Sequence, residues 1–171
     1  MQIYLVRHAE ALERQEGLAD EVRHLTRRGR KQAVKQARRL KKNKVRAELI
    51  ISSPMVRAVQ TAELLAVEIG KDAVVAAHPS LALEADAAAV VTMIREAGKL
   101  KSLVLVGHEP QLSAVAAQLL GYEHVAPLAK GSCLALSWRP EKQDRLATFD
   151  WYAVSGKKLV TSARKALVRP A

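Results

Sequence analysis

The sequence predicts an α/β domain, a three-layer α/β/α sandwich with a mainly parallel central sheet and an antiparallel edge. Three observations carry that prediction. Short apolar runs of strand length alternate with longer stretches of helical period, the order that builds a parallel sheet. Runs such as IYLV and LVLV are apolar throughout, as in strands covered on both faces. The last two runs lie close together, joined only by the polar stretch RPEKQD, which suits an antiparallel hairpin at the sheet edge.

Strands are expected at residues 3–6, 48–51, 73–76, 102–106, 133–138 and 146–151. Helices are expected at 26–42, 54–69, 86–97 and 110–120, with a C-terminal one at 155–167. Thr26 is placed to cap the first of these helices. Ser53 is a good N-cap for the second, with Pro54 at the first helical position, where its missing N–H does no harm. Pro110 likewise opens the fourth. The 171 residues show no repeat, low-complexity tract or linker, so one domain over residues 1–171 is expected.

Composition narrows the class. With 49% hydrophobic residues the chain can build a core, so disorder is excluded as the default. No apolar run approaches a membrane span, and the first apolar run, interrupted at Arg7, is too short for a signal peptide. The single cysteine, Cys133, cannot form an internal disulfide, and the chain is expected in the reducing cytoplasm. The net charge of +11 is local. Residues 27–46 hold eleven Lys or Arg and no acid, and the remaining 17 basic residues equal the 17 acids. Ala33, Val34, Ala37 and Leu40 fall at helical spacing there, giving an amphipathic helix with a cationic outer face. That face is either a solvated surface or a dock for an acidic partner.

Open parallel sheets bind ligands beyond the carboxyl ends of their strands. Three such loops hold unusual chemistry: RHAEA after the first strand, SSPMVR after the second, and GHEPQ after the fourth. Alone, Arg57 reads as an arginine reaching to solvent and His108 as a structural loop histidine. Together, Arg7, His8, Arg57 and His108 converge on one crevice. Arginine pairs bidentately with phosphate and keeps its charge, and neutral imidazole is a competent nucleophile. Phosphoryl transfer needs mainly positioning and charge stabilisation, and this set supplies both with no cofactor or metal. The residues therefore point to covalent phosphoryl transfer through a histidine.

These stretches also carry a family resemblance. LVRHAEA resembles the Arg-His-Gly signature of the histidine phosphatase, or phosphoglycerate mutase-like, superfamily, with Ala9 in place of the glycine. HLTRRGRKQA resembles its Leu-Thr-x-x-Gly-x-x-Gln-Ala segment, IISSPMVRAVQTAE its Ser-Ser-Pro-x-x-Arg-Ala-x-Gln-Thr-Ala segment, and VLVGHEP its second-histidine segment. The resemblance implies a phosphoglycerate mutase-like fold, with His8 as the nucleophile that becomes phosphorylated. Arg7, Arg57 and His108 would bind the phosphate, His108 cationic or donating in the transition state. The short chain is closest in pattern to the SixA-type phosphohistidine phosphatases, which implies a phosphorylated protein as partner. A phosphatase of small phosphate esters is the alternative.

Ester cleavage benefits from a proton on the leaving oxygen, whereas phosphohistidine leaves as an imidazole and needs an acid less. Two residues are candidates for a general acid. Glu84, in SLALEAD, occupies the loop where many family members carry theirs, and Glu109 follows the second histidine. Glu109 could equally cap the helix begun by Pro110. CLALSWR formally matches Cys-x5-Arg, but Leu134, Leu136 and Trp138 alternate as in a strand, so Cys133 reads as a core residue. His24, His78 and His124 stand singly, without zinc-ligand spacing. A rival of another class is a non-catalytic protein binding phosphate or nucleic acid through the 27–46 helix. It leaves the Arg and His set unexplained, and with one Phe, two Trp and three Tyr the chain offers little for base stacking.

Overall fold

Alternate side chains of the first strand, β1 (Gln2–Arg7), enter two different cores, and this divides the molecule into layers. The computed structural model describes residues 1–70, 73–139 and 146–168. Five further strands join β1: β2 (Leu49–Ser52), β3 (Val74–Ala77), β4 (Ser102–Gly107), β5 (Cys133–Ser137) and β6 (Thr148–Ala153). Their order across the sheet is β3-β2-β4-β1-β5-β6. The first four are parallel, β5 runs antiparallel to β1, and β6 antiparallel to β5. The mainly parallel sheet and its antiparallel edge are as expected.

Helices cover both faces. Tyr4, Val6, Val104 and Val106 pack against Ala37 and Leu40 of α1 (Arg27–Lys42) and Ala58, Ala62 and Leu65 of α2 (Val56–Ile69). On the opposite face, Ile3, Leu5, Leu103 and Leu105 meet Val90 and Ile94 of α3 (Ala87–Glu96), and Leu112 and Val115 of α4 (Gln111–Leu120). A short α5 (Ala163–Leu167) adds Leu167 to that core. Cys133 is a fully buried β5 residue whose thiol is pushed up by burial, which removes the Cys-x5-Arg motif from consideration. Among the described residues no helix is long and apolar enough to cross a membrane.

Three boundaries differ from expectation by two residues or more. The C-terminal helix covers only its last turn and a half, because Gly156 takes a left-handed φ of 84° and the chain folds back. Val160 then pairs with Tyr152, the two exchanging N–H···O bonds of 2.8 and 3.0 Å. Helix α2 begins at Val56, two residues later than expected, with Met55 and not Ser53 at its N-cap. Strand β6 is displaced by two residues toward the C-terminus. Residues 140–144, most of the expected RPEKQD connection, lie outside the described residues.

This topology positions the site. Strands β2, β4 and β1 are neighbours and run the same way, so Ser52, Gly107 and Arg7 end at one rim.

Candidate active site

His8 leaves the end of β1 in a loop held by backbone bonds on every side. Its N–H donates to the Gly107 carbonyl at 3.1 Å. Gly131 N–H donates to the carbonyls of Arg7 and His8 at 3.1 and 3.0 Å, and Ala9 N–H donates to Thr61 Oγ1 at 3.2 Å. The imidazole is oriented by its own neighbour: Nδ1 lies 2.7 Å from the Ala9 carbonyl. A carbonyl only accepts, so Nδ1 carries the proton. In the neutral ring Nε2 then holds the lone pair. Burial, together with the positive charges of Arg57, Arg7 and Lys130, lowers the His8 pKa to about 4. His8 is therefore neutral at physiological pH, as a nucleophile requires.

Around His8 the other three expected residues assemble. His108 stacks obliquely on it, with ring centroids 5.0 Å apart. Its Nε2 lies 2.8 Å from Ser53 Oγ, which also accepts from Met55 N–H at 3.3 Å. The Ser53 hydroxyl can donate to Nε2, and in that pairing a neutral His108 carries its proton on Nδ1. Burial, the His8 ring and Arg57 push the His108 pKa down to about 3, so it is uncharged at rest. Arg57, on the first turn of α2, is 1% exposed and donates through Nη1 to the Asp20 carbonyl at 2.6 Å and through Nη2 to its carboxylate at 2.7 Å. Arg7 Nη1 donates to the Leu128 carbonyl at 2.7 Å.

These side chains line a cavity of about 420 Å³, together with Arg14, Arg23, Lys130, Glu13, Glu109, Ala11 and Leu83. Five cations face two carboxylates, the balance expected of an anion site. Among the described residues six buried side-chain polar atoms have no hydrogen-bond partner, and four of them belong to this cavity: Arg7 Nε, Arg57 Nε, His108 Nδ1 and Glu109 Oε1. Buried donors are normally satisfied, so the two unpartnered guanidinium N–H groups here mark a place prepared for an acceptor-rich ligand. The two acid candidates separate. Glu84 is exposed and does not line the cavity, where its neighbour Leu83 does. Glu109 lines it, accepts a hydrogen bond from Ser113 Oγ at 2.6 Å, and has its pKa raised by burial. Of the other histidines, His24 and His124 are exposed, and His78 Nδ1 accepts from Ser80 N–H at 3.2 Å.

Comparison with known proteins places the chain among them. The family model of the histidine phosphatase superfamily (branch 1) matches residues 3–82. An uncharacterised protein of Picosynechococcus is 36% identical over 119 residues, covering 66% of this chain and 68% of that protein. The chain belongs to the histidine phosphatase superfamily. The protein histidine phosphatase SixA, solved with tungstate, shares the fold with a TM-score of 0.82 at 24% identity, over 91% of this chain and 97% of SixA. The mitochondrial serine/threonine-protein phosphatase Pgam5 of Drosophila ananassae is 44% identical over 70 residues, 41% of this chain. That match spans about a quarter of the fly protein, 24% of its length.

Several residues of the histidine phosphatase motifs serve to build the site without lining the cavity. Thr26 caps α1, accepting from Gly29 N–H at 2.9 Å, and donates to Glu10 at 2.8 Å. Gln32 accepts from Glu10 N–H and donates to the Lys130 carbonyl, stitching α1 to two site loops. Gln60 accepts from Leu25 N–H at 2.8 Å, and Thr61 Oγ1 donates to the Arg57 carbonyl at 2.7 Å.

Sequence reasoning missed Asp20, Arg14, Arg23, Ser53 as a ligand of His108, and Lys130. Asp20 sits in a one-turn helical segment, residues 20–22, with no periodic signal, and gathers Arg14, Arg23 and Arg57 on one side chain. Burial opposes its ionisation, but hydrogen bonds from Arg57, Arg23 and Arg14 hold its carboxyl well below the usual carboxylate range. Only the long interval between the first strand and the basic helix hinted that something there covers the site.

Proposed function

We propose that this histidine phosphatase removes phosphoryl groups from histidine residues of a protein through a phospho-His8 intermediate. The observation that carries the reading is the Nδ1–H bond from His8 to Ala9, which keeps the Nε2 lone pair free. In the first step Nε2 attacks phosphorus and the bond to the substrate imidazole breaks. With its other nitrogen protonated, that imidazole departs neutral and needs no proton. In the second step water attacks phospho-His8, one proton leaves to solvent, and inorganic phosphate departs. His8 keeps its Nδ1 proton throughout and is regenerated neutral. Arg7 and Arg57 stabilise the phosphoryl oxygens, and His108 donates from Nδ1.

Likeness to the protein histidine phosphatase SixA over nearly its full length supports a phosphohistidine substrate. Glu109 favours a second reading, hydrolysis of phosphate esters. A carboxyl whose pKa is raised in the cavity can protonate a departing alkoxide, as general acid catalysis of ester cleavage requires.

The test is a comparison of phosphate release from a phosphohistidine peptide, a phosphoserine peptide and an aryl phosphate, with wild type and His8→Ala side by side. Release mainly from phosphohistidine, lost in His8→Ala, is the expected result. Comparable rates on phosphoserine would shift the assignment to esters, and turnover by His8→Ala would remove the mechanism.

A further inference from the structure

A second cleft, of about 550 Å³, opens between the outer face of α1 and the turn that follows β6. Five cations line it: Lys35, Arg38, Arg39 and Lys42 on the helix and Lys157 on the turn. No carboxylate does. The two walls are fastened together. Gln36 Nε2, buried, donates to the Ala153 carbonyl at 3.1 Å, and Arg39 Nη1 donates to the carbonyls of Val154 and Lys157 at 3.0 and 2.5 Å. Gly156 turns the chain in the left-handed region and leaves the mouth open, since a side chain there would meet only Lys35 Nζ.

Among the described residues, most of the charges in this cleft are not cancelled by a carboxylate. Lys35, Lys42 and Lys157 make no ion pair among the described residues, and Arg39 bonds only to carbonyls. Glu68 is shared between Arg38 and Lys41, which lies outside the cleft. Like charges held together this way repel, and an anionic partner relieves them.

Helix α1 links the cleft to the catalytic cavity. One turn before Lys35, Gln32 donates to the carbonyl of Lys130, whose side chain lines that cavity. From Gln32 to Lys42 the helix extends about 15 Å, a distance bridged by about five extended residues. A chain laid along this stretch of α1 runs from the cleft toward the Gln32–Lys130 contact at the edge of the catalytic cavity. No aromatic side chain lines either wall, so nothing there stacks a nucleic-acid base.

We propose that this cleft docks an acidic segment of the phosphorylated protein, a stretch of Asp and Glu on the same chain as the phosphohistidine. The proposal rests on the protein-substrate reading above. The probes are two synthetic phosphohistidine peptides, alike except for a flank of glutamates in one and glutamines in the other. The variant is the triple change Lys35→Glu, Lys42→Glu and Lys157→Glu, with the corresponding Lys→Gln triple as a milder partner. None of the three lysines belongs to the catalytic cavity, so an unchanged rate on an aryl phosphate reports that either variant is folded.

Wild type is expected to favour the Glu-flanked peptide about tenfold in kcat/KM, from several surface pairs acting together. High salt or the triple change removes the preference and leaves the Gln-flanked rate alone. Equal rates on both peptides, or a preference that survives the triple change, overturns the proposal. If neither peptide is cleaved while the aryl phosphate is, the protein-substrate reading fails by itself. Fluorescence anisotropy of a labelled, unphosphorylated glutamate peptide then decides the cleft, with weakened binding in the triple variant in favour and equal binding against. Displacement of that peptide by a short DNA duplex at physiological salt would assign the cleft to nucleic acid and also overturn the proposal.

Discussion

Arg57 grips Asp20 twice, through Nη1 to its carbonyl at 2.6 Å and through Nη2 to its carboxylate at 2.7 Å. A guanidinium that is 1% exposed needs such a partner, because an uncompensated charge at that depth is costly. The same carboxylate also draws in Arg23 at 2.7 Å and Arg14 at 3.0 Å. One side chain thus holds three arginines at the rim of the cavity while leaving Arg57 Nε unpartnered.

Asp20→Ala is accordingly expected to weaken phosphate handling without touching the nucleophile. Inhibition by inorganic phosphate should weaken, kcat/KM should fall, and stability should drop by about 1–3 kcal/mol for the buried donors left unpaired. Asp20→Asn retains the backbone contact and one acceptor, so its losses should be smaller. Phosphate inhibition and thermal melting of the two variants check this, and wild-type values in Asp20→Ala would mean that Arg57 is positioned by something else.

Acid should destabilise the protein through its two site histidines. An unfolded histidine takes up its proton near pH 6.5, whereas His8 and His108 stay neutral in the fold down to about 4 and about 3. As pH falls through about 6.5 the unfolded chain gains protons that the folded chain refuses, so their stabilising contribution is full above that value and declines below it. Urea unfolding from neutral pH to about pH 5 should show this loss. The double variant His8→Ala, His108→Ala should have a flatter profile across that range, and parallel profiles would contradict the cause assigned here.

How far the sequence disclosed this site depended on what each residue does locally. His8, Arg57 and His108 were legible because each follows a buried strand, a position that a period of apolar residues marks. Asp20 was not, since its role is set by a partner 37 residues away and its own segment has no period. Ser53 looked like a helix cap, but the helix starts at Val56, and its hydroxyl serves His108. Glu84 followed a family pattern to a loop position that faces solvent, where a one-turn helical segment at 79–81 buries Leu81 in the core and Leu83 lines the cavity in its place. The late start of the C-terminal helix had a visible cause in Gly156, yet the positive φ that turns the chain back could not be told from a glycine tolerated in a helix.

Gly29 is expected to be intolerant of even a methyl group. A Cβ there would come within 1.8 Å of the Glu10 carbonyl oxygen, on the loop that follows His8. Gly29→Ala must push α1 away from that loop, breaking the Gln32 bonds to Glu10 and Lys130. A loss of about 1–3 kcal/mol is expected from the overpacking, with reduced turnover through the displaced loop. Melting and aryl phosphatase rates measure both effects, and a Gly29→Ala enzyme as stable and active as wild type would show that the contact can relax freely.

Glu109 and Glu84 allow the choice of substrate to be tested at the acid. Glu109 lines the cavity with one oxygen held by Ser113 and the other unpartnered, and burial favours its protonated form. Glu84 is exposed outside the cavity. Protonation of a leaving group contributes about 10²–10⁴-fold where the leaving group is a poor one. Glu109→Gln should therefore lower kcat on an alkyl phosphate within that range, while kcat on phosphohistidine changes little because imidazole departs unaided. Its KM values should move less than its kcat on the ester, since the change removes a proton donor and not a phosphate contact. Glu84→Gln should leave both substrates alone. Equal losses on the two substrates in Glu109→Gln would instead mark a carboxyl that shapes the cavity through Ser113, and the proton for an ester would have to come from water.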